Sequence, residues 1–389
     1  MLTHLERVLE RYLVQVTGAP DAPAGTHQVF ATEGGAAAMA YTFRSLRENL
    51  VIGPDDAVAI ATPVFTPYLQ IPVLADFGVR VVEIPSAHNT DHRFDDGFLD
   101  RLRDPSIKVF FVINPGNPDT RAIRPEKLLQ LRDFVLTERP DLVIVADTAY
   151  ATFIDGFRGI FSVLPRHTIL IHSLSKNFGA TGNRLGFVAM AADTVVDEVI
   201  AAQPEQVRAL HDERYSSMTS TARDLPFMAR VVADSREVAL HNIAGLSTTE
   251  QVQMALFALA YLLPSGRDYV DATRAELARR SYALFEPLGL EPPGGQDSMY
   301  YALVDLVEVA RTRRGDRFAT WLVDAASAED VLLALAAEHG VIVQAGSMFH
   351  SEAWDVRASL ASLDADQLRS LGEAVVAVLD ALPGPGADA

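Results

Sequence analysis

Hydrophobic and polar positions fall into two rhythms along the chain. From about Gln28 to Met190 short apolar, β-branched runs recur, at Ala57–Ala61, Val79–Ile84, Lys108–Ile113, Leu142–Ala146, Thr168–His172 and Leu185–Met190. Between several of them lie stretches with apolar residues at helical spacing, notably Ala36–Asn49, Pro67–Phe77 and Pro125–Val135. Near-continuous apolar strands alternating with helices predict a mostly parallel sheet covered by helices, because such strands are buried on both faces. Ligands in such folds bind beyond the carboxyl ends of the strands. Ahead of this region Leu2, Leu5, Leu9, Tyr12, Leu13 and Val16 recur at helical spacing and predict an amphipathic helix. From about Thr194 to Leu288 the pattern is helical, with Gln251–Leu263 its most apolar part. After the breaker Glu291–Gly295, Met299–Leu306 and Val341–Gln344 read as strands and Ala365–Leu379 as a helix, with a frayed tail from Pro383. The expected division is an N-terminal helix and arm (1–25), a large α/β domain (26–289) and a small C-terminal domain (290–389).

Composition narrows the function. With 389 residues, 49% hydrophobic and 22% charged, the chain reads as a soluble globular protein. A net charge of −18 disfavours nucleic acid and anionic lipid as partners, so any anionic ligand must be held by local cations. The absence of cysteine excludes disulfides, thiolate metal sites and cysteine nucleophiles. The ten histidines show no ligand-like spacing, and no metal is expected. The first residues lack the pattern of a signal peptide, and the longest apolar run, Met254 to Leu263, is far shorter than the roughly 20 residues of a membrane span. A cytoplasmic protein is expected.

The strongest chemical signal follows the run Thr168–His172. Ser173-Leu-Ser175-Lys176-Asn-Phe-Gly179-Ala-Thr-Gly182-Asn-Arg184-Leu-Gly186 combines hydroxyls, small residues and two cations. A pyridoxal-phosphate site needs a lysine for the Schiff base, and hydroxyls with a second cation for the phosphate. Asp147 ends an apolar run, where a carboxylate can pair with a protonated pyridine nitrogen, and Tyr150 follows three residues later, placed to donate to the ring oxygen. Taken alone, a strand-end aspartate is often only a helix cap. Asn114-Pro-Gly-Asn117-Pro118 is a rigid polar turn whose Asn117 can bond the ring oxygen. Gly34, Gly35 and Ala36 open a helix whose free N–H groups suit a phosphate. Phe65 offers a ring to stack on a flat cofactor. Arg357 lies inside an apolar run and requires an anionic partner, either a substrate carboxylate or an internal salt bridge.

In chain order these motifs resemble those of fold-type-I pyridoxal-phosphate enzymes, the aspartate aminotransferase superfamily. The resemblance implies a mostly parallel seven-stranded sheet between helices, with a smaller α+β C-terminal domain, and at least a homodimer. It implies Lys176 as the Schiff-base lysine and Asp147 on the pyridine nitrogen, with Asn117 and Tyr150 on the ring oxygen. Ser173, Ser175 and Arg184 would hold the phosphate, Phe65 would stack, and Arg357 would bind the substrate carboxylate. Within the superfamily the chain is most similar to aspartate 4-decarboxylases, through Val64–Pro72, Ala151–Arg158, Val232–Leu240 and Ala244–Thr248. That similarity places Arg236 near the substrate's side-chain carboxylate. Two departures stand out: a long N-terminal segment of that family has no counterpart here, and Asn177 and Asn183 replace aromatic residues. The expected function is an aspartate-type aminotransferase/β-decarboxylase working through aldimine and quinonoid intermediates. Diverted chemistry, such as elimination, replacement or cyclisation on a sulfonium amino acid, is the alternative, and a non-catalytic sensor a remote one.

Overall fold

A computed structural model describes residues 1–74, 78–86, 94–95, 97–238 (backbone alone at 237–238), 245–294 and 296–384. Parts of the expected helix Pro67–Phe77, of the stretches Val232–Leu240 and Ala244–Thr248, of the breaker Glu291–Gly295 and of the tail lie outside these residues.

The chain folds into two compact units. The first comprises Met1–Ala61, Pro67–Pro115 and Ala122–Val270. It is built on seven strands: β1 (His27–Thr32), β2 (Ala57–Thr62), β3 (Arg80–Pro85), β4 (Ile107–Ile113), β5 (Val143–Asp147), β6 (Thr168–Ser173) and β7 (Gly186–Ala191). Their order across the sheet is β1-β7-β6-β5-β4-β2-β3. Strands β2, β4, β5 and β6 run parallel, whereas β7 is antiparallel to both its neighbours, β6 and β1. Every residue of β2, β5, β6 and β7 is buried, as the unbroken apolar runs require. β1 escaped the sequence reading. HQVFAT opens with two polar residues, and the strand owes its place to its ladder with β7.

Helix α1 (Thr3–Thr17) buries Leu5, Leu9, Tyr12, Leu13 and Val16, while Leu2 is exposed. Its apolar stripe joins a core with Val29 and Ala31 of β1, Phe187 and Ala189 of β7, and Met254 and Ala258 of the helix Thr248–Leu262. Helix α2 (Gly35–Glu48) starts three residues after β1.

The second unit comprises Thr62–Thr66, Gly116–Arg121 and Asp271–Ala389. Its sheet is antiparallel, in the order β8 (Tyr301–Asp305), β10 (Asp355–Ser359), β9 (Gln344–Ala345). Of the expected strand Val341–Gln344 only Gln344 pairs, because β10 offers β9 just two partners. The helix Ala365–Ala381 opens with a capping box between Asp364 and Gln367. The two short segments are tied in by backbone bonds: Val64 N–H to Phe349 O at 2.9 Å, and Ser298 N–H to Thr120 O at 3.0 Å.

Candidate active site

In the first unit the polar residues collect where the parallel strands end. Asp147 is the last residue of β5, and Ser173 the last of β6. The Asn114 N–H donates to Asp147 O at 2.8 Å, and the Thr148 N–H to Ile171 O at 2.9 Å, so the loops leave the sheet in register.

Asp147 is buried, and its carboxylate is held from two sides. The Tyr68 hydroxyl donates to Oδ2 at 2.5 Å, and the Ala149 N–H donates to Oδ1 at 2.9 Å. Burial pushes its pKa up, opposed by these two donors and by the charge of Lys176. The Tyr68 hydroxyl is in turn driven up, first by burial and then by the negative charge of Asp147, while the positive charge of Arg184 pulls it down. Lys176, Asp147, Tyr68 and Arg184 therefore share one electrostatic environment.

A second cluster surrounds the start of α2. Gly34, with φ +87°, is its N-cap, and no side chain caps the helix. A Cβ on Gly34 would sit 2.8 Å from Arg184 Nη2, and one on Gly186 would strike the Gly34 backbone at 2.6 Å. Position 34 favours glycine through its positive φ, and position 186 because the Gly34 backbone leaves no room for a side chain. A Cβ on Gly35 would meet Ser173 Cβ and Tyr68 Oη, each at 3.6 Å. The first-turn N–H groups, Ser173 and Arg184 thus converge, and Ala36 in that turn is exposed. Ser175 is buried nearby, and its Oγ has no hydrogen-bond partner.

These observations test whether pyridoxal phosphate suits the site. A buried carboxylate whose pKa is raised calls for a cationic partner such as a ring N–H. An uncapped helix start beside an arginine and two serines, one of them orphaned, calls for an anion. The residues fit the cofactor.

Tyr150 is buried and opens the short 3-10 turn Ala151–Phe153. Arg236 is exposed in the last turn of the helix Phe227–Val238. Asn177 is buried rather than turned to solvent. In the second unit, Arg357 of β10 donates through Nη1 to Asn117 Oδ1 at 2.8 Å and through Nη2 to Gln344 Oε1. Its guanidinium lies over the rings of Tyr301, at 4.0 Å, and Phe349, at 4.4 Å. The sequence called for an anion on Arg357; two amide oxygens and two aromatic faces surround it here. Phe65, in the segment Thr62–Thr66 of this unit, is 37% exposed. Tyr68 and Gln344 were missed as site residues. Tyr68 had one available signal, its position three residues after Phe65 in a short aromatic motif; Gln344 had none.

This fold and site suit a pyridoxal-phosphate-dependent enzyme. Residues 9–375 match the model for aminotransferase class I and II, and the chain belongs to that family. It is 40% identical, over 98% of its length and 72% of the relative's, to a bifunctional aspartate aminotransferase and L-aspartate beta-decarboxylase from Pseudomonas sp. An aromatic-amino-acid aminotransferase from Thermococcus litoralis is 29% identical over 38% of each chain. Among solved structures, an aromatic aminotransferase from Pyrococcus horikoshii superposes with a TM-score of 0.71 at 20% identity, covering 97% of this chain and 85% of that one. The Thermus thermophilus aspartate aminotransferase with maleate gives 0.64 at 22% identity, covering 96% and 81%. These structural likenesses speak for the fold.

Proposed function

We propose that the protein is an aspartate-type aminotransferase/β-decarboxylase. The observation that carries the reading is the gathering of Lys176, Asp147 and the Arg184–Gly34–Gly35 cradle at the carboxyl ends of parallel strands. The finer choice of aspartate draws on the 40% identity to a relative named for both aspartate activities.

Pyridoxal phosphate, when bound, supplies an electrophilic carbon and a ring that takes up electrons. Lys176 would anchor it covalently, and its amine would serve as the general base for the proton at the substrate α-carbon. Asp147 holds a proton on the pyridine nitrogen, and its burial strengthens that pairing. Tyr150 and Asn117 hold the ring oxygen, and Phe65 covers the ring. Ser173, Ser175, Arg184 and the N–H groups of Gly35 and Ala36 hold the phosphate, with Gly34, whose own N–H donates to Thr32 O at 2.8 Å, shaping the cradle. Arg357 receives the α-carboxylate, and Arg236 is assigned to the side-chain carboxylate. A homodimer or larger homo-oligomer is part of the proposal. The exposed stripe Val252, Leu256 and Leu259 on the helix Thr248–Leu262, continued by Leu263 at its C-cap, supports it.

The test is proton NMR of the cofactor-loaded protein with L-aspartate and 2-oxoglutarate in D₂O. Alanine or glutamate is expected, and their ratio separates decarboxylation from transamination. Aspartate that stays intact and keeps its α-proton would overturn the choice of substrate.

A further inference from the structure

A buried polar chain runs from α1 into both segments that carry the site, and none of the steps above uses it. The Tyr12 hydroxyl lies 3.2 Å from His172 Nε2, and His172 Nδ1 lies 3.0 Å from Thr148 Oγ1. Thr148 Oγ1 donates to Ile171 O at 3.1 Å. That last bond fixes the direction of the others. The one hydroxyl proton of Thr148 is committed to a carbonyl, so Thr148 accepts from Nδ1–H; Nε2 is then an acceptor, and Tyr12 donates to it. Complete burial keeps His172 neutral, in keeping with one ring nitrogen donating and the other accepting. The chain continues past Tyr12: the Asn177 side chain lies beside the Tyr12 hydroxyl, and its Nδ2 is buried without a bond of its own. Aromatic rings seal the assembly. Tyr261 packs edge-on against Tyr12 at 5.1 Å, and Phe187 lies 5.2 Å from His172.

Each member adjoins a residue of the site. Thr148 follows Asp147, His172 precedes Ser173, and Asn177 follows Lys176. An apolar core needs no such chain, and each unsatisfied link in it would cost stability. We propose that Tyr12 and His172 are positioning residues, a buried strut from α1 that fixes the backbone carrying Ser173–Lys176 relative to the end of β5. The inference rests on the roles of Lys176 and Asp147 proposed above.

The experiment compares the parent enzyme, Tyr12→Phe, His172→Asn and Lys176→Ala, each loaded with pyridoxal phosphate. The first readout is the pH titration of the visible cofactor band, which needs no substrate. Tyr12→Phe keeps the ring and removes only the hydroxyl. It is expected to displace the titration midpoint by about half a unit or more. With L-aspartate it should lower kcat about tenfold while leaving KM within about twofold. His172→Asn should displace the midpoint similarly, and it decides the matter if Tyr12→Phe does not fold. Midpoints and kcat equal to the parent's in both variants, whatever their melting temperatures, would overturn the strut. A parent band that survives Lys176→Ala would instead overturn the role of Lys176, and the inference with it. Aspartate failing as a substrate leaves the band titration to decide.

Discussion

Asp147 illustrates how much of a residue's chemistry is set by neighbours that the local sequence does not name. Its strand-end position was legible, because a carboxylate closing an apolar run stands out. The donor that orients it, Tyr68, is 79 residues away and was not. Lys176 and Arg184 were legible together because one loop carries both. Arg357 was legible as a candidate, but its surroundings were not: the amides of Asn117 and Gln344 and the rings of Tyr301 and Phe349 reach it from three separate parts of the chain. Asp147→Ala should leave the cofactor band in place, since Lys176 is untouched. It should lower turnover of L-aspartate by about two orders of magnitude or more, as expected when a proton-holding group is lost. Stopped-flow or steady-state assays read this directly, and near-normal rates would refute the assigned contact with the pyridine nitrogen.

The elements most legible in the sequence are those buried on both faces. β2, β5, β6 and β7 announce themselves by unbroken apolar runs, whereas β1 and β9 depend on partners from distant sequence. The polar ties between helices were equally hidden. Asp234, on the helix Phe227–Val238, is buried among donors from two distant parts of the chain. Ser45 of α2 donates to Oδ2 at 2.7 Å, Tyr215 donates to the same oxygen at 2.9 Å, and Arg214 donates to Oδ1 at 3.0 Å. Removing the carboxylate takes the acceptor from two buried hydroxyls, while Arg214 keeps Glu48 at 2.8 Å. Asp234→Ala should therefore cost about 1–3 kcal/mol, measured as a shift in the urea midpoint, with the cofactor chemistry preserved below the transition.

For the whole molecule, the order of motifs along the chain made the family legible, since six signals fell in one sequence. The reaction itself was less legible: members of one fold differ in chemistry through a few side chains at the site. Assembly can be tested at this scale. The stripe Val252, Leu256, Leu259 and Leu263 leaves large apolar side chains exposed, from 44% to 60%, on a protein of net charge −18. If a second copy covers it, Leu256→Glu should shift the mass measured by light scattering from a dimer or larger oligomer to a monomer. An unchanged mass would remove the stripe from the interface.

The strut from α1 also bears on when the enzyme becomes competent during synthesis. Tyr12 meets His172 across 160 residues, and the Leu2 N–H reaches Gln251 across 249. α1 emerges from the ribosome long before either partner, and part of the core it joins, Met254 and Ala258, arrives only with the helix Thr248–Leu262. Contacts so distant in sequence are slow to form. An amphipathic helix must wait, its apolar face bare, while most of the first unit is still being translated. A nascent chain paused before that helix is complete has the lysine, the aspartate and His172 but lacks the part of the docking surface, Met254, Ala258 and Tyr261, that closes over Tyr12.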